Sequence, residues 1–584
     1  FETIAPSEDK IWSGDCTNEL RVPVGRVGAT RQQFLRLGRG VAQHTLIAGK
    51  TGSGKSTLLH VLATNLALWY SPDQVELYLI DFKKGVEFKT YATHLLPHAR
   101  AIAVESDREF GLSVLQRLDA ELTRRGELFR ALGVQDLASY RASSGERIMP
   151  RTLLIIDEFH EFFSEDDKLA QDASALIDRL VRQGRAFGIH VLLGSQTISG
   201  SSGLPRSTIG QMAVRIALQC SEADSHLILG DNNAAARLLS RPGEAIYNDV
   251  GGLVEGNSPF QVSWLSDDLR DKLLAGVRER YEARPDAHLE PIVFEGNAPA
   301  DVRKSKAFTL GAAGTGVATS VAMSPHSKNP TIWLGEPVAI RASTHITLRR
   351  QSGANVLMIG QQDEIAEALM AMTIVSLGTL LTPDTATMYL LDGTPADSTQ
   401  TGILPSIIEQ MPQTTQSVDY RAVPEVINTI AKELERRQAN DETESASIFL
   451  LIHGLQRYRM LRKSEDSFSF SASDEEKPPA TDKQFGDILR DGPNFGIHVI
   501  AWADTAATLD RTLDRSTMRE FDNRVLLQMS AIDSSNLMDS PAANKLGLFR
   551  ALLYSEEQGV MEKFRPYAVP EAAWIDELKA KERR

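Results

Sequence analysis

The sequence predicts an α/β fold: two tandem copies of one doubly wound, mainly parallel sheet flanked by helices, the second copy degenerate. Three observations predict it. A short apolar run, Thr45 to Ala48, leads through a glycine-rich loop into a helical pattern at Leu58, Leu59, Val61, Leu62 and Leu66. Four apolar residues, Leu153 to Ile156, read as a buried parallel strand that ends in Asp157-Glu158. Whole segments of the first half recur in the second at offsets of 308 and 309 residues.

The loop carries the chemistry. Gly49-Lys50-Thr51-Gly52-Ser53-Gly54-Lys55-Ser56, followed by Thr57, fills every position of the P-loop pattern between a strand and a helix. Its glycines let the backbone curl so that N–H groups face phosphate oxygens at a helix N-terminus. Lys55 would reach the β- and γ-phosphates of ATP, and Ser56 would ligate Mg2+. Asp157 would hold the same Mg2+ through water, and Glu158 would polarise the attacking water. An ordinary capped strand end is the alternative for that pair. A third strand pattern, Gly188 to Gln196, places Gln196 as a candidate γ-phosphate sensor, with an ordinary loop glutamine as the alternative.

Further segments extend the pattern over residues 20–265: Arg21-Val-Pro-Val-Gly25, Leu79-Ile-Asp-Phe-Lys-Lys-Gly85, the run from Ile177 to His190, and Arg215-Ile-Ala-Leu with Asp224-Ser225. Together they resemble the FtsK/SpoIIIE family of ring-forming motor ATPases, within the HerA-FtsK group of RecA-like P-loop NTPases. The resemblance implies ATP hydrolysis coupled to translocation of a polymer. It also implies self-association into a ring, six being the family number, and an arginine that completes the neighbour's site. The family commonly has Arg after the Asp-Ser pair, and His226 stands there instead. Arg215 is the first candidate for the arginine and Arg185 the second, with a surface or internal salt bridge as the alternative for each.

The repeat tests the second copy for the same chemistry. Phe187-Gly-Ile-His-Val-Leu192 returns as Phe495-Gly-Ile-His-Val-Ile500, and the segment from Arg215 to Ser225 returns from Arg524 to Ser534. Ile332-Trp-Leu-Gly-Glu-Pro-Val mirrors the opening strand. Gly360 aligns with Gly49, but Glu364, Ile365 and Ala366 stand where Ser53, Gly54 and Lys55 complete the first loop. The strand from Ile448 ends in His453-Gly454 rather than Asp-Glu. The second copy is expected to be a pseudo-ATPase, with His453 a switch or a buried strand-end histidine. Residues 1–289 are read as the ATPase copy, 290–330 as linker and the start of the second copy, and 331–584 as the degenerate copy. Residues 463–483, polar and proline-bearing, read as an inserted surface loop.

Composition narrows the polymer only in part. Net charge is −14, and residues 1–290 carry 33 basic against 38 acidic side chains, the remainder 30 against 39. Neither half has the basic balance of a nucleic-acid binder, although a local patch in a pore stays open. Two cysteines exclude a disulfide framework or a cysteine zinc site. No apolar run is long enough for a membrane span. The chain begins with Phe, which suggests a fragment with a membrane anchor or partner domain upstream, and a cytoplasmic setting at the membrane's inner face. Double-stranded DNA is the family's default polymer. The tandem layout, the segment Asp81-Phe-Lys-Lys-Gly85 and Leu96-Pro97-His98 look more like the alternative, a protein-export motor similar to the type VII secretion ATPase.

Overall fold

The computed structural model describes residues 1–582 except 83–86, 106, 144–148, 198–202, 306–328, 383 and 465–478. The chain divides into two compact units, Phe1–Gly296 and Asn297–Arg584. Most of the inserted segment expected at 463–483, and part of the segment at 81–85, lie outside the described residues. Among the described residues, no helix is long and apolar enough to cross a membrane.

Among the described residues, the first unit contains eleven strands: β1 (Leu20–Val27), β2 (Arg31–Leu37), β3 (Thr45–Ala48), β4 (Val75–Asp81), β5 (Ala99–Val104), β6 (Arg151–Asp157), β7 (Ile189–Ser195), β8 (Val214–Leu218), β9 (Glu244–Asn248), β10 (Ser258–Val262) and β11 (Ile292–Glu295). They form one sheet in the order β11-β5-β4-β6-β7-β3-β8-β9-β10-β1-β2. From β11 to β8 the neighbours are parallel, and from β8 to β2 antiparallel. The parallel part must be covered on both faces, which explains why every residue of β4, β6 and β7 is buried. The helix Lys55–Trp69 is apolar on most of its circumference, and Leu58, Leu62 and Leu66 share one core with Leu77, Leu79, Leu153 and Ile155. Ile292–Glu295 falls inside the stretch expected as linker. It is instead an edge strand, parallel to β5, with Phe294 stacked on Phe110 at 4.6 Å.

The second unit contains β12 (Thr331–Pro337), β13 (Thr344–Thr347), β14 (Val356–Ile359), β15 (Ala386–Asp392), β16 (Thr414–Ser417), β17 (Ser447–His453), β18 (Ile497–Ala503), β19 (Asn523–Leu526), β20 (Ala551–Ser555) and β21 (Val560–Pro566). Their order is β13-β12-β21-β20-β19-β14-β18-β17-β15-β16. Read from the β2 edge, the first sheet has the same order strand for strand, with β11 as its one addition. Small devices repeat as well. His190 Nδ1 and His498 Nδ1 each lie 2.8 Å from a main-chain carbonyl, of Gln43 and Ala354. The turn before each of these strands ends on a glycine with positive φ, Gly188 at 69° and Gly496 at 74°.

Candidate nucleotide-binding site

β3 delivers the chain to Gly49, whose N–H donates to the Ser195 carbonyl of β7 at 3.2 Å. The loop then closes on itself and on its surroundings. Ser53 N–H donates to Lys50 O at 3.0 Å, and Gly243 N–H donates to Ser53 O at 2.8 Å. Gly52 and Gly54 take φ of 77° and 100°, values that a side chain would strain. The helix begins at Lys55, and its first internal hydrogen bond runs from Leu58 N–H to Gly54 O at 2.9 Å. The N–H groups of Lys55, Ser56 and Thr57 therefore have no acceptor within the helix and lie at its positive end, where an anion is favoured. The buried Ser53 hydroxyl has no hydrogen-bond partner among the described residues. The loop is thus a polar cradle suited to phosphate.

The two sequence-predicted halves of the site meet through Lys55. Its Nζ donates to Asp157 Oδ1 and, at 2.6 Å, to Glu158 Oε1, with all three side chains buried. Burial pushes the Asp157 carboxyl above its ordinary value, and the ammonium of Lys55 opposes that shift. Glu158 sits at φ 53°, a left-handed conformation that costs a non-glycine residue about 1 kcal/mol. Strain of this kind persists where surrounding structure imposes it, and here it delivers the carboxylate into the cradle. Gly194 faces Asp157 across the sheet, and a Cβ there would lie 2.7 Å from Asp157 Oδ1. Gln196 joins the same network: its N–H donates to Glu158 Oε2 at 3.1 Å, and its Oε1 accepts from Thr51 Oγ1 at 2.8 Å. The glutamine therefore links the loop to the carboxylate pair.

The metal donor set is small. No group of three or more acidic, histidine or cysteine side chains arranged for a metal occurs among the described residues. Mg2+ accompanying a nucleotide keeps several waters and needs only one or two protein oxygens, so Ser56 and Asp157 fit that role. Sequence reasoning missed the partner of Ser56. Its Oγ donates to Glu87 Oε1 at 2.8 Å, and Glu87 Oε2 lies 3.4 Å from His60 Nε2. The hydrogen bond with His60, aided by that of Ser56, holds the Glu87 carboxyl below its ordinary value against the effect of burial. His160 was missed too: its Nδ1 lies 3.1 Å from Ser195 Oγ and 3.4 Å from Glu158 Oε2. The i, i+4 spacing of Ser56 and His60 was the only sequence signal for the first contact.

Arg215 corrects an expectation. Its side chain is 8% exposed, its Nη1 donates to Ile228 O at 2.7 Å, and its Nε to Met212 O at 3.4 Å. Arg524 binds the equivalent carbonyls, Leu537 O and, at 2.9 Å, Phe521 O, in the unit that lacks the loop. A guanidinium held this way braces the helix Glu222–Leu229 and is not presented to a neighbouring subunit. Arg185 is exposed, one turn before Gly188.

In the second unit the helix Asp363–Leu380 and the helix Lys55–Trp69 end on equivalent caps, Leu381 and Tyr70, both at φ −117°. Counting back along that register sets Asp363 and Ile365 against Gly52 and Gly54. With no glycine to take positive φ, these residues form one more helical turn in place of the loop. Gly194 is replaced by Trp502, which stacks on His453 at 4.6 Å and donates from Nε1 to Gly360 O at 3.0 Å. Glu367 occupies the place of Ser56; burial, together with Asp392, raises its carboxyl to about 7. His453 is buried and its pKa falls to about 4. An aromatic ring, a carboxyl group and an added helical turn thus stand where phosphates would go.

The profile of the FtsK/SpoIIIE family matches residues 14–200. The DNA translocase FtsK of Streptococcus pyogenes is 32% identical over 296 residues, covering 48% of this chain and 35% of that protein. The DNA translocase FtsK of Lactococcus lactis is 30% identical over 302 residues, covering 48% and 37%. The chain therefore spans about a third of the length of these relatives. Among solved structures, the cytoplasmic domain of the type VII secretion ATPase EccC of Thermomonospora curvata superposes with a TM-score of 0.62 at 20% identity, over 98% of this chain and 67% of that one. EssC (ATPases 2 and 3) of Geobacillus thermodenitrificans superposes at 0.56 and 14% identity, over 97% and 99%. At those identities the likeness speaks for the fold, two such units in tandem. The likeness to the FtsK/SpoIIIE family thus lies in the first unit, and a second unit of the same sheet order follows it.

Proposed function

We propose that the first unit binds and hydrolyses ATP to drive translocation of double-stranded DNA, and that the second unit is a pseudo-ATPase. The observation that carries the reading is the contact of Lys55 with both Asp157 and Glu158 beneath a complete P-loop. The identity with the FtsK DNA translocases supports DNA as the polymer.

In this reading, Lys55 leaves its carboxylate pair to meet the β- and γ-phosphates, and the first-turn N–H groups take the remaining oxygens. Released from Lys55, Glu158 orients the attacking water. Gln196 follows the γ-phosphate through Thr51 and passes its loss to Glu158. Ser56 and Asp157 would hold Mg2+, which supplies charge neutralisation at the phosphate oxygens when bound. Assembly into a ring, with six copies the family expectation, would let an arginine of a neighbouring copy complete the site. The motor would act in the cytoplasm, where ATP is supplied.

A second reading, a protein-export motor, is favoured by one observation: the tandem secretion ATPases superpose on 97–98% of the chain. The ATPase rate with and without long duplex DNA separates the two. Strong stimulation that weakens with added salt supports DNA. Stimulation by a peptide tail with no response to DNA supports export.

A further inference from the structure

Resting on the nucleotide reading above, one contact of the cradle remains without a role. Ser56 carries one hydroxyl hydrogen and two lone pairs. To serve a cation it must turn a lone pair toward the metal, and its hydrogen must then go to an acceptor elsewhere. Glu87 Oε1, 2.8 Å from Ser56 Oγ, is that acceptor. Oxygen ligands of metals are commonly oriented in this way by a hydrogen-bonded outer partner.

Glu87 is itself held. His60 lies one helical turn beyond Ser56 on the same face, with Nε2 3.4 Å from Glu87 Oε2. The other ring nitrogen of His60 lies 3.1 Å from the hydroxyl of Tyr91, a fully buried residue whose ring packs 5.8 Å away. Thr64 Oγ1 lies 3.4 Å from the same hydroxyl. Ser56, His60 and Thr64 thus form a ladder along one helix, and Glu87 and Tyr91 face it from the segment after β4. The second unit serves as an internal control. Along the helix register, Glu367 replaces Ser56 and Ala371 replaces His60. Where the phosphate loop is gone, the hydroxyl and the imidazole are gone as well, whereas the buried apolar Leu58, Val61 and Leu66 are matched by the buried apolar Leu369, Met372 and Leu377.

We infer that Glu87, braced by His60, is a positioning residue that orients the Ser56 hydroxyl toward the nucleotide's Mg2+. It binds no phosphate; its effect appears only when the cation is present.

The test measures binding of a fluorescent, non-hydrolysable ATP analogue to the full chain during a Mg2+ titration. Glu87→Ala should raise the Mg2+ concentration for half-maximal tightening about 10-fold, in line with the loss of an outer partner of a metal ligand. Affinity without Mg2+ should stay unchanged. Glu87→Gln, which keeps an acceptor oxygen, should lie between wild type and Glu87→Ala. In a Ser56→Ala background, Glu87→Ala should add nothing. An unchanged Mg2+ midpoint overturns the inference, as does an equal loss of affinity without Mg2+ or a full effect that persists on Ser56→Ala. If Glu87→Ala fails to fold by thermal melting, Glu87→Gln and His60→Ala carry the same comparison. Failure of the wild-type chain to bind the analogue at all would instead refute the nucleotide reading itself.

Discussion

The two units hold the same ten strands in the same order, yet only one keeps a phosphate cradle. The difference comes from a few positions at the C-terminal ends of the central strands. Gly52 and Gly54 become Asp363 and Ile365, and a loop becomes a helical turn. Gly194 becomes Trp502, and the space beside Asp157 is filled by a ring stacked on His453. Glu158, strained at φ 53°, becomes Gly454 at φ 85°, where the same turn costs nothing. The strained carboxylate occurs in the unit that has the complete loop. The comparison teaches that the fold is carried by the parallel sheet and its covering helices, whereas the chemistry is carried by backbone conformations that only glycine, or a tolerated strain, allows.

The sharpest way to break that comparison is Lys55→Ala. It should abolish ATP hydrolysis in a steady-state assay, and analogue binding to the full chain should vanish with it. Binding that survives at micromolar affinity would belong to the second unit and would overturn its assignment as a pseudo-ATPase. Glu158→Gln should behave differently, retaining ATP while turnover falls by at least a hundredfold.

Acid should affect both units alike. Burial lowers His44, His98, His453 and His498 to about 4. In the unfolded chain these residues take up protons below about pH 6.5, whereas in the folded units they resist until about pH 4. The unfolded state therefore binds more protons in this window. Stability should hold above pH 6.5 and fall as pH drops toward 4, seen as a declining midpoint in urea. A flat midpoint across that range would contradict the buried, neutral state of these rings.

Arg215→Ala and Arg524→Ala sharpen the likeness of the units. Each removes a buried guanidinium that satisfies two carbonyls, so each should cost about 2–3 kcal/mol in denaturant unfolding. Loss of hydrolysis in Arg215→Ala without loss of stability would return this residue to a role in the neighbour's site. The smallest effect belongs to Gly454→Ala. It should destabilise the second unit by about 1 kcal/mol and leave hydrolysis unchanged.

Much of the site was legible in the sequence because its parts are local. A glycine spacing that only a curled loop tolerates, a lysine at a helix start and two acids at a strand end are read from short segments. The repeat was legible because His190 and His498, and Arg215 and Arg524, hold the same main-chain carbonyls in both sheets. Those same contacts misled the reading of Arg215, since a recurring arginine looks the same in a string whether it faces a neighbour or two carbonyls. Ile292–Glu295 read as linker because nothing in four residues reveals that an edge of β5 awaits a parallel partner.

By itself, then, the sequence determined the α/β class, the two copies, the phosphate loop and its absence in the second copy. Each of these depends on backbone conformation or on periodicity within a segment. Only the tertiary structure decided that Lys55 rests between Asp157 and Glu158, that Gln196 reaches Thr51, that Glu87 takes the Ser56 hydrogen, and that Trp502 seals the second site. These are contacts between residues 31 to 145 positions apart. Their existence depends on which strand lies beside which, and a linear pattern carries no record of that.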